Sequence, residues 1–355
     1  MSLEPQNFSS LQPLSQPFVK SSLVEVTDTL AVKPPCRIFF KNEYEQPSGS
    51  FKLRGIGNLV SKSYKEAKTK FPHKEIHVYA SSGGNAGLAA AYAARYYKVN
   101  CTVVLPVVSK PEVIEKLKTY GAKTVIHGAN IYEADQYLQG ILRNVNVSKY
   151  HPIYCHPFEN PLIWDGHSTL VDEIFQSQLP EQDKPKVKGF VCSVGGGGLY
   201  NGIHKGIIRN KSSSDVFLVE TNQAPTLHET IKAGKVITLK SVNSLATSLA
   251  CSSLSIQSLA NYNDQSKVKT HIASIDDLEA VKGSVNFYRN YGIAVEPACG
   301  ASLSVLYNQL PFLTLKFPNL GSDDIIVVVV CGGSCTNVEG IKKFETLVER
   351  QAHKL

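Results

Sequence analysis

Short apolar runs alternate with amphipathic stretches along most of this chain. The runs are rich in β-branched residues, and they predict strands at Ile76–Ala80, Cys101–Leu105, Lys123–His127, Val187–Cys192, Val216–Glu220 and Ile325–Cys331. The last run, IIVVVVC, is apolar at every position, which is typical of a strand that is covered on both faces in a parallel sheet. The amphipathic stretches predict helices at Ala86–Tyr97, Pro111–Tyr120, Tyr132–Val145, Asp165–Gln178, Leu199–Arg209, Asp276–Tyr291 and Val338–Arg350. This alternation predicts an α/β fold with mainly parallel sheets.

Size and composition indicate a globular protein with two domains. The chain has 355 residues, which is more than one compact core usually accommodates, and 43% of them are hydrophobic. The formal net charge is +7, but the 37 basic side chains are scattered without a run of five like charges. A nucleic-acid partner is therefore not expected, and a mildly positive surface explains the charge.

The cysteines and the N-terminal residues bear on the compartment. Eight cysteines show neither paired zinc spacing nor a short-range disulfide framework, which favours a reducing compartment. No apolar stretch approaches the length of a membrane span, so no membrane partner is expected. Residues 1–20 carry neither a secretory signal nor an Arg-rich transit pattern, and residues 1–15 are expected to be loosely ordered. We expect a cytoplasmic protein, with a mitochondrial location left open.

Three glycine-rich segments each follow a predicted strand. They are SSGGNAG (81–87), SVGGGGL (193–199) and CGGS (331–334). Glycine lets the backbone approach a ligand closely, free N–H groups at a helix start favour an anion, and four consecutive glycines suit a phosphate. The second segment is followed by neither the pattern of a dinucleotide fingerprint nor that of a Walker loop. Taken alone, the first segment is better explained as a plain turn, and Cys331 as an inert buried thiol.

A lysine lies within a fourth segment of small residues, PSGSFKLRG (47–55). Small neighbours leave room beside the Lys52 amine, and a lysine in such a place can form a Schiff base with a carbonyl. Taken alone, this interpretation of Lys52 is no stronger than that of a solvated surface lysine.

Together these segments resemble the fold-type II pyridoxal-phosphate (PLP) enzymes, whose fold is like that of tryptophan synthase β. Within them the chain is most similar to the catabolic serine/threonine dehydratases, because the doubled Gly83-Gly84 differs from the asparagine loop of cysteine synthases and serine racemases. The family's Thr-Pro-Leu near the N-terminus appears only weakly, as Gln16-Pro17-Phe18. The matching stretches occur in family order across residues 35–340: PSGSFKLRG (47–55), SSGGNAGLAAAYAAR (81–95), NPLIWDGHSTL (160–170), SVGGGGL (193–199), VEPACGAS (295–302) and VVVCGGS (328–334).

The resemblance implies roles for individual residues. Lys52 would form the Schiff base with PLP and, once freed by the substrate, act as general base. Phe51 would lie against the cofactor ring, Asn85 would bond the ring's 3-hydroxyl oxygen, and Cys331 would face the pyridine nitrogen, where a thiol favours elimination over racemisation. The groups implied for the cofactor phosphate are the backbone N–H groups of Gly195, Gly196, Gly197, Gly198 and Leu199. Those implied for the substrate carboxylate are Ser82, Gly83, Gly84 and Asn85.

A monovalent cation, K⁺, is also implied by the resemblance. Its ligands would be Gly195, Glu220, Ala224, Thr226 and Leu249, and the alternative for Glu220 is an ordinary carboxylate at a strand end. His151, His156 and His167 lack the spacing of a metal motif and are interpreted as structural. Glu296 and Cys299 are interpreted as supporting or packing residues.

The resemblance implies two open, twisted, mainly parallel sheet domains flanked by helices, with PLP in the cleft between them. The large domain would comprise residues 1–43 and 160–355, and the small domain residues 44–159. The implied reaction is β-elimination, which converts L-serine to pyruvate and L-threonine to 2-oxobutanoate, each with release of ammonia. A homodimer is expected, and the short segment after the last motif indicates a catabolic enzyme without a regulatory domain, suited to gluconeogenesis from amino acids. The alternatives are a serine racemase, a β-replacement synthase, a catalytically silent amino-acid sensor and, more distantly, a dinucleotide-dependent dehydrogenase.

Overall fold

The computed structural model describes residues 16–352, so the expectation of loose order for residues 1–15 lies outside the described residues. The strands of this part are β1 (Leu23–Glu25), β2 (Arg37–Asn42), β3 (Glu75–Ala80), β4 (Asn100–Leu105), β5 (Lys123–Ile126), β6 (Tyr150–Cys155), β7 (Val187–Ser193), β8 (Asp215–Thr221), β9 (Thr270–Ile275) and β10 (Ile325–Val330). Its α-helices are α1 (Lys52–Lys70), α2 (Asn85–Tyr96), α3 (Pro111–Thr119), α4 (Ile131–Arg143), α5 (Pro161–Glu173), α6 (Gly198–Arg209), α7 (Thr226–Ala233), α8 (Ile256–Asn263), α9 (Asp277–Tyr291), α10 (Pro297–Tyr307), α11 (Leu310–Lys316) and α12 (Val338–Ala352).

The strands form two sheets. The larger has the order β1-β2-β10-β7-β8-β9, and the smaller has the order β5-β4-β3-β6. Neighbouring strands are parallel throughout, except that β1 pairs antiparallel with β2. All six residues of β10 are buried in the interior of the larger sheet, as the fully apolar run predicts for a strand covered on both faces. The predicted α/β fold with mainly parallel sheets is confirmed.

Each sheet has its own hydrophobic core. The core of the larger sheet gathers β2, β7, β8 and β10 with α6 and α10. The core of the smaller sheet gathers β3 and β4 with α1 and the Ala-rich α2. Cys36 and Cys192 lie buried in the first core, Cys101 and Cys155 lie buried in the second, and all eight cysteines of the chain are free thiols. No helix within residues 16–352 is long and apolar enough to cross a membrane.

A buried cluster of charges fixes helix α1 at its first turn. Arg54 is fully buried, and its Nε donates to Oε2 of the equally buried Glu43 at 2.6 Å, while Nη1 donates to Oε1 of Glu173 at 2.6 Å. Lys41 Nζ on β2 donates to Oε2 of the same Glu173 at 2.5 Å. The cluster therefore joins β2, α1 and α5, and it holds the backbone two residues beyond Lys52.

Candidate functional site

A cleft of about 480 Å³ opens where strands of both sheets end. The loops that follow β3, β7 and β10 all line it, so the three glycine-rich segments meet at one place. This is the edge at which open parallel sheets place their ligands. Lys52, although distant in the sequence from the second and third segments, also lines the cleft.

Lys52 is the first residue of α1, directly after the small residues of the fourth segment. Its Nζ donates a hydrogen bond to the Pro157 carbonyl oxygen at 2.6 Å. Burial lowers the pKa of the Lys52 amine, and the nearby thiols of Cys251 and Cys331 oppose this shift. A lowered pKa increases the fraction of neutral amine, which is the form that attacks a carbonyl or accepts a proton.

The segment just before Lys52 is tied to the loop after β10. Ser50 forms an antiparallel bridge with Gly332, and the Phe51 N–H donates to the Cys331 carbonyl oxygen at 3.1 Å. Gly332 and Gly333 have φ of 79° and 129°, values that favour glycine. The Phe51 ring packs against His167, with ring centroids 5.0 Å apart.

The four-glycine loop forms a cradle without side chains at the start of α6. A Cβ atom on Gly196 would lie 2.3 Å from the Phe158 ring, and one on Gly197, whose φ is 89°, would lie 2.0 Å from Ser258 Oγ. The first N–H groups of α6 have no partner inside the helix and carry its positive dipole end. This cradle fits a phosphate, and with the Lys52 amine in the same cleft the residues present fit PLP.

The asparagine loop, residues 81–85, lies in the cleft at the start of α2. Asn85 Nδ2 donates to Glu296 Oε1 at 2.8 Å, and Asn85 Oδ1 accepts from the Ser334 N–H at 2.8 Å. Glu296 also accepts from the Cys335 N–H at 2.9 Å and from the Ser248 hydroxyl. Glu296 thus links the asparagine loop to the loop after β10. The bond from Asn85 to the cofactor's 3-hydroxyl oxygen stays a prediction.

Cys331 is 7% exposed and lines the cleft beside the buried Cys299. Ser82, Gly83 and Gly84, the groups predicted for the substrate carboxylate, line the cleft directly before α2. Their amides lie where a helix start favours a negative charge. The structure therefore brings Lys52, the asparagine loop, the phosphate cradle and Cys331 to one cleft, and their individual roles stay predictions.

Further polar residues that the sequence did not indicate line the same cleft, among them His156, Asp135 and Ser248. His156 follows β6, a strand that the hydrophobic pattern did not predict. Its Nδ1 accepts from the Glu159 N–H at 2.8 Å. The HPF sequence directly after a strand is the signal that could have indicated its position.

His151 and His167, the other two histidines singled out in the sequence, are not part of the cleft lining. His151 on β6 stacks on Phe71 with ring centroids 5.6 Å apart. His167 is fully buried in α5, and neither ring nitrogen has a hydrogen-bond partner in the described part of the chain. Burial lowers the pKa of His167 well below its ordinary value, so its ring stays neutral.

Among the predicted cation ligands, the Glu220 carboxylate, Ala224 and Thr226 lie at or just before the start of α7. The Glu220 carboxylate, 2% exposed, accepts from the N–H groups of Leu227 and His228 at 2.9 and 3.0 Å, at the start of α7. The Thr226 hydroxyl donates to the Cys251 carbonyl oxygen at 2.5 Å. Leu249 approaches the cradle, because a Cβ on Gly195 would lie 2.9 Å from its carbonyl oxygen. The cation itself stays a prediction.

Replacing Glu220 with glutamine is expected to change how stability depends on pH. Burial raises the pKa of Glu220 from 4.5 to about 7, so the folded chain holds this proton more tightly than the unfolded chain. The stabilising contribution is therefore fully present below a pH of about 4.5 and is lost as pH rises through about 7. Urea unfolding at pH 4.5 and pH 8 should show that Glu220→Gln removes a change on the order of 3 kcal/mol.

Glu115→Gln is the matched control, since it makes the same substitution at a position on α3 where the side chain is 70% exposed. Equal pH dependence in the parent and both variants would contradict the assignment to Glu220. A bound cation would favour the ionised carboxylate, so the pH effect in the parent should shrink with KCl relative to a large organic cation.

Comparisons with known proteins agree on one family. Residues 20–332 match the model of a family described as pyridoxal-phosphate dependent enzyme. The chain is 42% identical over 313 residues to an L-serine dehydratase of Saccharomyces cerevisiae strain RM11-1a, covering 86% of this chain and 90% of that protein. It is 36% identical to an L-serine dehydratase/L-threonine deaminase of Mus musculus, covering 86% and 92%. The crystal structure of a fungal L-serine ammonia-lyase from Rhizomucor miehei matches with a TM-score of 0.81 at 28% identity, covering 93% and 99%.

Proposed function

This chain belongs to the pyridoxal-phosphate-dependent enzyme family, and from that membership we propose that it is a lyase that removes ammonia from L-serine and L-threonine. L-Serine gives pyruvate, and L-threonine gives 2-oxobutanoate. The observation that carries the proposal is the buried Lys52 amine of lowered pKa, which shares one cleft with a four-glycine cradle. The relatives named for serine and threonine dehydration supply the substrate class.

Binding and orientation come from the backbone at the carboxyl ends of the strands. Bound PLP supplies a carbonyl for an amine and a ring that withdraws electrons from the amino acid's α-carbon. Gly195 to Gly198 hold its phosphate through N–H groups at the start of α6. Ser82 to Asn85 hold the substrate carboxylate at the start of α2. Phe51 and Phe158 present apolar surface in the cleft and limit the access of water.

Lys52 acts twice in this proposal. Its amine would hold the cofactor, and when free of that bond Nζ would take the proton from the substrate's α-carbon. The lowered pKa of this amine increases the fraction of the neutral form, which is the form that can accept that proton. Cys331, which lines the cleft, would hold its thiol toward the cofactor ring, where a carboxylate would strengthen electron withdrawal; this difference would favour β-elimination over racemisation.

The test is a product assay on the purified protein. With PLP and L-serine, and separately with L-threonine, we expect pyruvate and 2-oxobutanoate in equal amounts with ammonia, measured by 2-oxo-acid derivatisation and ammonia release. The two rates give the substrate preference, which one methyl group shifts by about 1–3 kcal/mol at most.

Other products would contradict the proposal in defined ways. D-Serine without oxo acid would indicate a racemase, and a β-substituted amino acid formed with an added nucleophile would indicate a synthase. A cofactor absorption band with no product at all would indicate a sensor.

Assembly, location and domain division are proposed alongside this activity. The eight free thiols support a reducing, cytoplasmic setting. Strands β3 to β6 all fall within residues 44–159, and the strands of the larger sheet all fall outside that range, which supports the proposed division. A homodimer and a K⁺ ion rest on the family resemblance alone.

A further inference from the structure

One carboxylate in the cleft takes no part in the steps above. Asp135 on α4 lines the cleft, and its Oδ1 accepts from the Ser81 hydroxyl at 2.5 Å and from the Tyr154 hydroxyl at 2.7 Å. Burial, followed by this bond to Asp135, raises the pKa of Tyr154, which keeps the phenol protonated as a donor. Oδ2 of Asp135 has only a long contact of 3.5 Å from Gln139 Nε2 within the described residues. Oδ2 therefore retains acceptor capacity.

The imidazole of His156, which also lines the cleft, adds no positive charge near Asp135. His156 Nδ1 accepts from two backbone N–H groups, those of Phe158 at 3.2 Å and Glu159 at 2.8 Å. Its ring proton therefore lies on Nε2. Burial, more than the nearby Lys52, lowers the pKa of His156 to about 4, although Asp135 opposes the shift. At neutral pH the His156 ring is therefore uncharged, and it does not offset the negative charge of Asp135.

The other ionic groups of the cleft lining either make hydrogen bonds to neighbouring residues or already have a role in the proposed function. Glu296 accepts hydrogen bonds from Asn85, Ser248 and the backbone of the loop after β10. Lys110 Nζ donates to a carbonyl oxygen of that same loop at 2.7 Å. Lys52 is the anchor of the cofactor in the proposed function. Among the described residues of the cleft, Asp135 is thus the carboxylate whose second oxygen keeps acceptor capacity for a ligand.

We propose that Asp135 is a specificity-determining residue, which admits amino acids with a neutral, hydrogen-bond-donating β-substituent and rejects those with a second carboxylate. The inference rests on the proposed function, since it concerns the substrate of the same site. Asp135 lies beside the loop proposed to hold the substrate carboxylate, because its Oδ1 accepts from the hydroxyl of Ser81, the residue before Ser82. In this proposal a substrate held there, with its amine near Lys52, has its β-substituent within reach of Asp135. A hydroxyl there can donate to Asp135 Oδ2, whereas a carboxylate meets a like charge.

The test compares two amino acids that differ by one charge and hardly in shape, L-asparagine and L-aspartate. Their binding to the PLP-loaded protein is measured by titration calorimetry and by the change in cofactor absorption, neither of which requires turnover. We expect L-asparagine to bind at least about tenfold more tightly than L-aspartate, because like charges within a few ångströms repel strongly in a partly buried site. In Asp135→Asn the ratio should fall to within about twofold.

Glu133→Gln is the matched control, since it removes the same charge from the same helix at an exposed position outside the cleft lining. Asp135→Ser, with a smaller neutral side chain, serves if Asp135→Asn fails to fold. A parent ratio near one, or a ratio that both Asp135 variants leave unchanged, would overturn the inference. Failure of the proposed function is distinguishable, because it would appear as absence of oxo acid from L-serine while the binding ratios still follow the expected pattern.

Discussion

Lys52→Ala is expected to lower 2-oxo-acid production from L-serine by about 10⁴-fold, the upper range for removal of a catalytic base. The loss should be this large because the same amine anchors the cofactor and receives the α-proton in the proposed mechanism. Since Nζ makes its hydrogen bond to the Pro157 carbonyl oxygen and no ion pair with a described residue, the fold should survive the substitution. The rate of oxo-acid formation, the cofactor absorption and the thermal unfolding midpoint are the measurements.

Lys62→Ala provides the comparison, because Lys62 lies on the exposed side of the same helix. It should retain the parent rate and the parent cofactor spectrum. Substantial turnover in Lys52→Ala, with a folded protein and an unchanged spectrum, would remove Lys52 from the mechanism.

Arg54→Met is expected to lower the free energy of unfolding by about 3–5 kcal/mol, the usual cost of breaking a buried ion pair from one side. The substitution leaves the buried Glu43 carboxylate with only the Ser21 hydroxyl at 2.7 Å and a long contact from Gln46. It also removes two guanidinium contacts from Glu173, whose remaining ionic partner is Lys41. Urea unfolding followed by circular dichroism measures the loss.

Arg209→Met is the matched comparison for Arg54→Met. Arg209 pairs with Asp172 on the surface, where its side chain is 42% exposed. Loss of such a pair costs about 0–1 kcal/mol. If the two variants unfold at similar urea concentrations, the buried cluster does not hold α1 as described.

Of the described strands, periodicity predicted five of the six in the interior of the sheets, missing β2, and one of the four at the edges, β5. β10 is apolar and buried along its length, and β8 is apolar and buried from Val216 to Val219, so their patterns are clear. β6 reads YHPIYC, and Pro152 argues against a strand, yet β6 is an edge strand, where a missing N–H donor is tolerated. Helix α10 was not predicted, because its first ten residues are all buried and it has no polar face to set a helical period.

Helix α1 was not predicted from the sequence either, for a different reason. Gly55 and Gly57 in its first two turns lower the helical signal. The structure explains them by close packing, because a Cβ on Gly55 would lie 2.5 Å from His167 Nε2. Packing against α5 therefore outweighs the local cost of glycine in a helix.

The four sequence segments located the cleft, because the carboxyl ends of parallel strands meet at one edge. The contacts between segments could not be read in the same way. Glu296 and Asn85 are 211 positions apart and meet through a single hydrogen bond. Asp135 and Ser81 are 54 positions apart, on a helix and after a strand whose relative angle no local pattern sets. Such pairs follow from the three-dimensional arrangement and have no periodic signature.

The buried thiols provide the two halves of the molecule with separate chemical reporters. Cys36 belongs to the core of the larger sheet and Cys101 to that of the smaller sheet, and burial raises the pKa of each to about 12. An alkylating reagent needs the thiolate, so neither cysteine is reactive while its own core stays closed. Each thiol becomes modifiable when the sheet around it opens, and peptide mass spectrometry separates the two. The order in which the two sheets open on unfolding can therefore be followed from the order in which these native cysteines are alkylated, without an introduced label site.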